Sequence, residues 1–353
     1  MRRTAPRQAC SESHRRREEA SRKGVRVKTL VLHIGANKTG STAIQEFLRL
    51  NAAALHAFGY VVAPTDLTRG GEVTGHHIWH IEQLRADIPT GRERLTKQIH
   101  ELMRTLGEDK HLVLSAENLA NPDGAEQMFS EVASQYDTRV ILYIRRQDEL
   151  LLSSWQQWES KIDDDFWAWL VLGVGVRGDW AQVLQAWERV VPRAQITVRL
   201  YERARMPEGD IVLDFAHLLG LSDRLSDLRR PRADVNPSYS DALVDLVKGS
   251  ASVFADRHDN TFYNMVEQLT GNAYHRRPRE SVITHAQRAA ILDRYRASNE
   301  WVCANYFPEM AGNLFPQPGP DDYLVLGQDK LEEQKWEIVA TLIFKLAARV
   351  LRR

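Results

Sequence analysis

Short apolar runs separated by amphipathic stretches organise the first two thirds of the chain. Thr29-Leu-Val-Leu-His-Ile34 is almost wholly apolar and stops at Gly35, as expected of a strand buried on both faces of a parallel sheet. Tyr60-Val-Val-Ala63, Lys110-His-Leu-Val-Leu-Ser115, Arg139-Val-Ile-Leu-Tyr-Ile144 and Gln195-Ile-Thr-Val-Arg-Leu200 repeat the pattern. Between them, apolar residues fall at helical spacing. A helix is predicted after residue 42, with Ile44, Phe47, Leu48 and Leu50 inward. Two more are predicted within residues 76–107, with Thr90-Gly91 as the break. Others are expected around 125–135, 148–159 and 179–191. Residues 160–178, rich in Asp and aromatic side chains, read as irregular. Strands alternating with helices predict an α/β fold, three-layered, with a mostly parallel sheet.

After Tyr201 the pattern changes. Helices are predicted near 210–220, 238–250, 284–306 and 330–351, punctuated by prolines and with no strand among them. This last third reads as a C-terminal helical lobe starting at about residue 203. The predicted organisation is a tail over 1–27, an α/β domain over 28–322 and a closing amphipathic helix over 323–353. That helix carries Trp336, Val339, Ile343, Leu346 and Val350 at helical spacing. It either packs on the core, with its basic end favoured by the helix dipole, or lies on an anionic membrane surface.

Composition narrows the class. Hydrophobic residues make up 43% and charged residues 27% of the 353, which is globular. The apolar stretch Ile338 to Phe344, with Thr341 inside it, is far shorter than the ~20 residues a bilayer requires. Forty-seven Lys/Arg balance forty-seven Asp/Glu, so a nucleic-acid partner is not expected. The balance hides an asymmetry: residues 1–28 hold ten Lys/Arg and three acids. With almost nothing apolar to bury, this tail reads as a solvated arm, able to meet anionic partners. Only Cys10 and Cys303 are present, so no disulfide framework or cysteine zinc site can form. A cytoplasmic placement is expected, with peripheral contact at the inner membrane surface through the tail or last helix as the variant of it.

The chemistry concentrates at Gly35-Ala-Asn-Lys-Thr-Gly-Ser-Thr42. A strand-to-helix loop between two glycines gathers backbone N–H groups around an anion. Lys38 adds charge, and Thr39, Ser41 and Thr42 add hydroxyls at the helix entrance. A Walker A loop places its lysine after the second glycine. Here Lys38 stands two residues before Gly40, which counts against Mg·ATP.

Lys38-Thr-Gly-Ser-Thr42 resembles the 5′-phosphosulfate loop of the sulfotransferases that use 3′-phosphoadenosine 5′-phosphosulfate (PAPS). Members of that family also carry an arginine at a later strand end and a serine eight residues on, for the 3′-phosphate. Arg145 and Ser153 have this spacing; Arg146 and Ser154 keep it in the neighbouring register. Arg145 with Ser153 is the preferred register because it puts Glu149 where the family often has an acid. The phrases His33-Ile-Gly-Ala-Asn37, Leu114-Ser-Ala-Glu-Asn118, Tyr143-Ile-Arg-Arg-Gln147, Arg199-Leu-Tyr-Glu202, Gly209-Asp-Ile-Val-Leu-Asp-Phe215, Ser298-Asn-Glu300 and Asn313-Leu-Phe315 resemble a bacterial branch of it. No Arg-Lys-Gly loop for the 3′-phosphate is found near the C-terminus. The resemblance implies a P-loop-type nucleotide-binding core, PAPS as co-substrate, 3′,5′-ADP as product and no metal. Lys38, Thr39, Gly40, Ser41, Thr42, Arg145 and Ser153 would hold the nucleotide.

An acceptor hydroxyl needs a general base. Glu117 stands just past a strand end, where ligands of open parallel sheets bind, and reads as base or as ion-paired carboxylate. In Gly75-His-His-Ile-Trp-His80, His76 is a second base candidate. His76 and His80 at helical spacing also suit a metal, yet no third ligand lies nearby in sequence. Lys38 completes the catalytic set. Residues 65–80 and Asp163-Asp-Asp-Phe-Trp-Ala-Trp169 are candidate acceptor-site segments. The reading is sulfuryl transfer to a carbohydrate or glycolipid-like acceptor; the rivals are a P-loop kinase or NTPase and an inactive nucleotide-binding scaffold.

Overall fold

The computed structural model describes residues 28–231, 238–276, 279–310, 312, 314–319 and 321–351. The basic tail expected over 1–27, Asn313, and the closing Arg352 and Arg353 lie outside the described residues. In chain order, β1 (Thr29–His33) leads through the glycine-bounded loop to α1 (Ser41–Leu50). α2 (Ala52–Ala57), β2 (Tyr60–Val62), α3 (Ile78–Arg85), α4 (Ile88–Thr105) and β3 (His111–Ser115) follow. Two 3-10 turns, Glu117–Ala120 and Ala125–Phe129, precede α5 (Ser130–Gln135) and β4 (Asp137–Ile144). Next come α6 (Gln147–Gln157), α7 (Phe166–Leu172), α8 (Trp180–Glu188), β5 (Ile196–Leu200) and α9 (Ile211–Leu218). The rest is α10 (Asp241–Val247), α11 (Thr261–Thr270), β6 (Glu280–Ser281), α12 (His285–Arg294), α13 (Arg296–Tyr306), β7 (Leu324–Val325) and α14 (Gln328–Leu351). The elements form two compact units, one of residues 28–145 and 179–231, the other of residues 146–178 and 238–351.

The first unit is built on five parallel strands in the order β2-β3-β1-β4-β5. Every residue of β1 is buried. On one face Val31, Val113, Ile141 and Tyr143 meet Ile44, Phe47 and Leu48 of α1 and Ile211, Val212 and Phe215 of α9. Strand side chains alternate, so Leu30, Leu32, Leu112, Leu114, Val140 and Leu142 face the other way, and they too are fully buried. Burial on both faces is the physical reason these strands read as unbroken apolar runs. The predicted α/β fold with a parallel sheet is the one formed. The chain leaves β1 for β2 on one side, while β4 flanks β1 on the other. Such a switch point opens a crevice at the carboxyl ends of the strands. Gly35, Glu117 and Arg145 all lie just past strand ends there.

Several predicted boundaries move. The break between α3 and α4 falls at residues 86–87, and Thr90-Gly91 lies inside α4. Pro89 occupies the first turn of α4, where its missing N–H costs nothing. Gly91 serves packing instead of a turn: a Cβ there would stand 2.1 Å from the Leu84 carbonyl oxygen. Gly91→Ala is therefore expected to cost about 1–3 kcal/mol through overpacking. Chemical denaturation would measure it; an unchanged midpoint would show that the two helices separate freely. The helix predicted around 125–135 is half 3-10, and Leu50 is only half-buried.

In the second unit, α6 is buried along nearly its whole length. Residues 160–178, predicted irregular, contain α7. Asp165 caps it by accepting from the N–H groups of Trp167 and Ala168, and Phe166 and Trp169 pack with Trp155. One aspartate of the candidate acceptor-site segment 163–169 is thus a helix cap. The predicted helix over 284–306 is two helices meeting at Tyr295, and α11 had no counterpart among the predicted elements. β6 and β7 form a two-residue parallel pair where no strand was expected. Of the two readings of the closing helix, packing of its apolar stripe on the core is not the arrangement found. Leu331, Ile338 and Leu342 anchor α14 in the core, while Trp336, Ile343, Leu346 and Val350 are exposed.

Candidate active site

Helix α1 is held by its inward face. Ile44, Phe47 and Leu48 are completely or almost completely buried, each contributing about 1.5–3 kcal/mol by burial. Its entrance therefore sits rigidly at the end of β1. The cap position is Gly40 at φ 79°, without a side-chain cap and with no acid in the first turn. Gly40 is obligatory: a Cβ would meet Ile211 and Tyr201 at 2.8 and 2.9 Å, and its φ is left-handed. The first N–H groups of an α-helix lack a carbonyl four residues back; here Ala43 turns to the Gly40 carbonyl at 3.0 Å, and the helix entrance lies just after Lys38 in the chain. Such an entrance beside a lysine suits an anionic sulfate or phosphate ester.

The loop is braced from within. The Thr39 hydroxyl donates to the Ala36 carbonyl at 2.7 Å and accepts the Ala36 N–H at 3.2 Å, and the residue is fully buried. Thr39 thus shapes the loop; its hydroxyl is turned inward. Lys38 adopts φ 66°, a left-handed conformation uncommon for a side-chain-bearing residue. Arg145 donates to the Lys38 carbonyl at 3.0 Å. The Arg145 guanidinium lies 5.6 Å from the Tyr201 ring centre, and its own carbonyl accepts from the Trp180 indole N–H at 3.0 Å.

Glu117 closes the other side. Ser41 donates its hydroxyl to the Glu117 carboxylate. A Cβ on Gly35 would lie 3.1 Å from the Glu117 Cβ, so the glycine lets the two strand ends approach. Burial pushes the Glu117 carboxyl above the usual carboxylate range, opposed by the Ser41 hydrogen bond and by Lys38 and His76 nearby.

The three histidines of residues 76–80 part company. Gly75, at φ 79°, presses against α1, where a Cβ would come within 2.1 Å of the Gln45 carbonyl oxygen. That close fit brings His76 toward Glu117, and the His76 Nδ1 is buried without a hydrogen-bond partner. His77 is fully buried between strand ends: Nδ1 accepts the Ser115 N–H at 3.3 Å and Nε2 lies 3.1 Å from the Ala63 carbonyl. Burial holds its pKa down at about 4, so it is neutral. His80 pairs with Gln98 at 3.0 Å. The helical spacing read for His76 and His80 does not apply, because α3 begins at Ile78. Among the described residues no group of three or more His, Cys, Asp or Glu is placed to hold a metal. His33, buried on β1, lies 2.8 Å from the Ser115 hydroxyl through Nδ1 and is pushed down to about 3 by burial.

Lys38 to Thr42, His76, Glu117 and Arg145 therefore belong to one unit and one end of its sheet. Ser153 belongs to the second unit, buried on α6. The neighbouring register is occupied by structure: Arg146 donates to both oxygens of buried Asp148, at 3.0 and 3.2 Å. Glu149 accepts from the Tyr323 hydroxyl at 2.6 Å.

Sequence reasoning missed Tyr201 and Trp180 as the residues that hold Arg145. It also missed the network in which Asp214 accepts from Tyr143, at 2.9 Å, and from Arg199. The signal existed in part, since Tyr201, Arg199 and Asp214 lie in the resembling phrases. Asn299, from the phrase Ser298-Asn-Glu300, exchanges two amide hydrogen bonds with Gln147 inside the second unit.

Comparison with known proteins places the chain in a family. A family model described as a sulfotransferase domain matches residues 28–230. An uncharacterised protein of Archaeoglobus fulgidus is 26% identical over 199 residues, which cover 55% of this chain and 50% of that protein. The chain thus spans about half the length of that curated relative. The crystal structure of a sulfotransferase from Alicyclobacillus acidocaldarius is similar over 58% of this chain and 85% of its own, at 16% identity and a TM-score of 0.38. The family match covers more than half of the chain and contains the loop, Glu117 and Arg145: the chain belongs to the sulfotransferase domain family.

Proposed function

We propose that this protein transfers the sulfuryl group of PAPS to a hydroxyl, or an amine, of a carbohydrate or glycolipid-like acceptor by in-line displacement. The observation that carries the reading is the meeting of an uncapped, acid-free helix entrance, Lys38 and the Ser41–Glu117 pair at the carboxyl ends of β1 and β3. PAPS supplies an electrophilic sulfuryl group on a phosphate leaving group. The N–H groups at the entrance of α1 and the Lys38 ammonium neutralise charge where it grows on the leaving side. Arg145 holds the loop at the Lys38 carbonyl and offers a planar guanidinium of the kind that grips phosphate. Glu117 takes the proton of the acceptor, held in place by the Ser41 hydroxyl. Its raised pKa makes it a stronger base than an exposed glutamate. His76 lines the acceptor side and adds a second proton-handling group.

The first test is thermal stability with 3′,5′-ADP and, separately, with Mg·ATP. A ligand that binds the native state at ~100 times its Kd stabilises it by about 2.7 kcal/mol. A rise with 3′,5′-ADP that Lys38→Ala abolishes is the expected result. A rise with Mg·ATP alone would replace the reading with a kinase or NTPase. A PAPS-turnover screen over glycans and glycolipids then identifies the acceptor.

A further inference from the structure

Among the described residues, none covers the end of α14. Every residue from Ile343 to Leu351 is exposed, although seven of the nine are Ile, Phe, Leu, Ala or Val. Phe344 is 76% exposed, Leu351 86% and, further back, Trp336 70%. At about 100° per residue, Trp336, Val339, Ala340, Ile343, Phe344, Leu346, Ala347, Val350 and Leu351 form one broad outward stripe. Ile338 and Leu342, which anchor the helix, lie opposite. Their face continues as Lys345 and Arg349. No acid occurs between Ile338 and Leu351. No described helix is long and apolar enough to cross a membrane.

We infer that the outer face of α14, from Trp336 to Leu351, docks in the plane of an anionic lipid surface. A helix with a wide apolar face, a tryptophan and basic residues on its polar side suits the headgroup–acyl boundary. The acid-free stretch complements anionic headgroups, and long basic side chains reach them from the polar side. A second copy of the chain fits less well. Trp336, Val339, Ile343, Leu346 and Val350 have the a/d spacing of a coiled-coil seam. Phe344 and Leu351 would then stay uncovered, and Arg349 would face alanine with no acid to pair with. The inference is independent of the proposed reaction.

The test is co-sedimentation of the full chain with phosphatidylcholine vesicles, with and without phosphatidylglycerol. Binding is expected with the anionic vesicles. Each basic side chain near such a surface is worth about fivefold in affinity, so Lys345→Gln with Arg349→Gln should weaken binding about 30-fold. Ile343→Glu with Phe344→Glu should abolish it; an unchanged melting temperature shows that these exposed substitutions leave the fold intact. No binding by the native chain would overturn the inference. So would binding that survives both pairs of substitutions, which would point to the basic tail. A dimer in light scattering that Ile343→Glu dissolves, without vesicle binding, would assign the face to a second copy.

Discussion

Glu117→Gln is expected to lower the rate of sulfuryl transfer by about 10²–10⁴-fold, the usual contribution of a positioned general base. The amide keeps the shape of the side chain and still accepts the Ser41 hydrogen bond, so stability and the response to 3′,5′-ADP should change little. That separation matters, because a merely structural glutamate would lose stability or nucleotide response along with activity. The pH profile gives a second readout. The base works only when ionised, and burial raises its pKa. The native rate should therefore rise with pH along a limb displaced above the ordinary glutamate range. The limb should vanish in the glutamine variant. A variant that keeps its rate within a few-fold, with the limb in place, would remove Glu117 from the role and turn attention to His76.

The largest expected loss of stability comes from the second unit. Arg288 and Asp148 are both fully buried and pair at 2.6 Å. Arg288 also donates to the Ser281 hydroxyl at 2.6 Å and lies 3.6 Å from the centre of the Tyr323 ring. Breaking a buried pair by removing one partner costs about 3–5 kcal/mol, because a charge stays behind without compensation. Arg146 still contacts Asp148 in the Arg288→Met variant, so the lower end of that range is expected. Urea denaturation would register it as a lower midpoint at unchanged slope. An unchanged midpoint would mean that Arg146 alone satisfies Asp148. Asp148→Leu combined with Arg288→Met should not restore the loss, since Arg146 then loses the carboxylate that accepts both of its hydrogen bonds.

The strands were legible because a parallel strand buried on both faces leaves a continuous apolar run. Leu30, Leu32, Leu112 and Leu114 carry that signal without help from any distant contact. The glycine-bounded loop after β1 was legible for a related reason: Gly35, Lys38, Gly40 and the hydroxyls lie within eight residues, so their spacing is their geometry. Helix boundaries were less legible. Gly91 looks like a turn residue in sequence, and only the approach of the Leu84 carbonyl reveals it as a packing residue.

The sequence by itself determined the alternating α/β pattern, the glycine-bounded loop with its lysine and hydroxyls, and a short list of candidate bases, because each depends on neighbours in the chain. Tertiary structure decided which of His76, His77 and His80 stands near Glu117, since Gly75 fits against α1 and His77 is bound at Ser115 and Ala63. It decided that the Thr39 hydroxyl turns inward, that Tyr201 and Trp180 hold Arg145, and that Arg146 is committed to Asp148. It also decided that the outer stripe of α14 is bare, because helical spacing states that an apolar face exists, and only the packing of Ile338 and Leu342 determines which face the core receives.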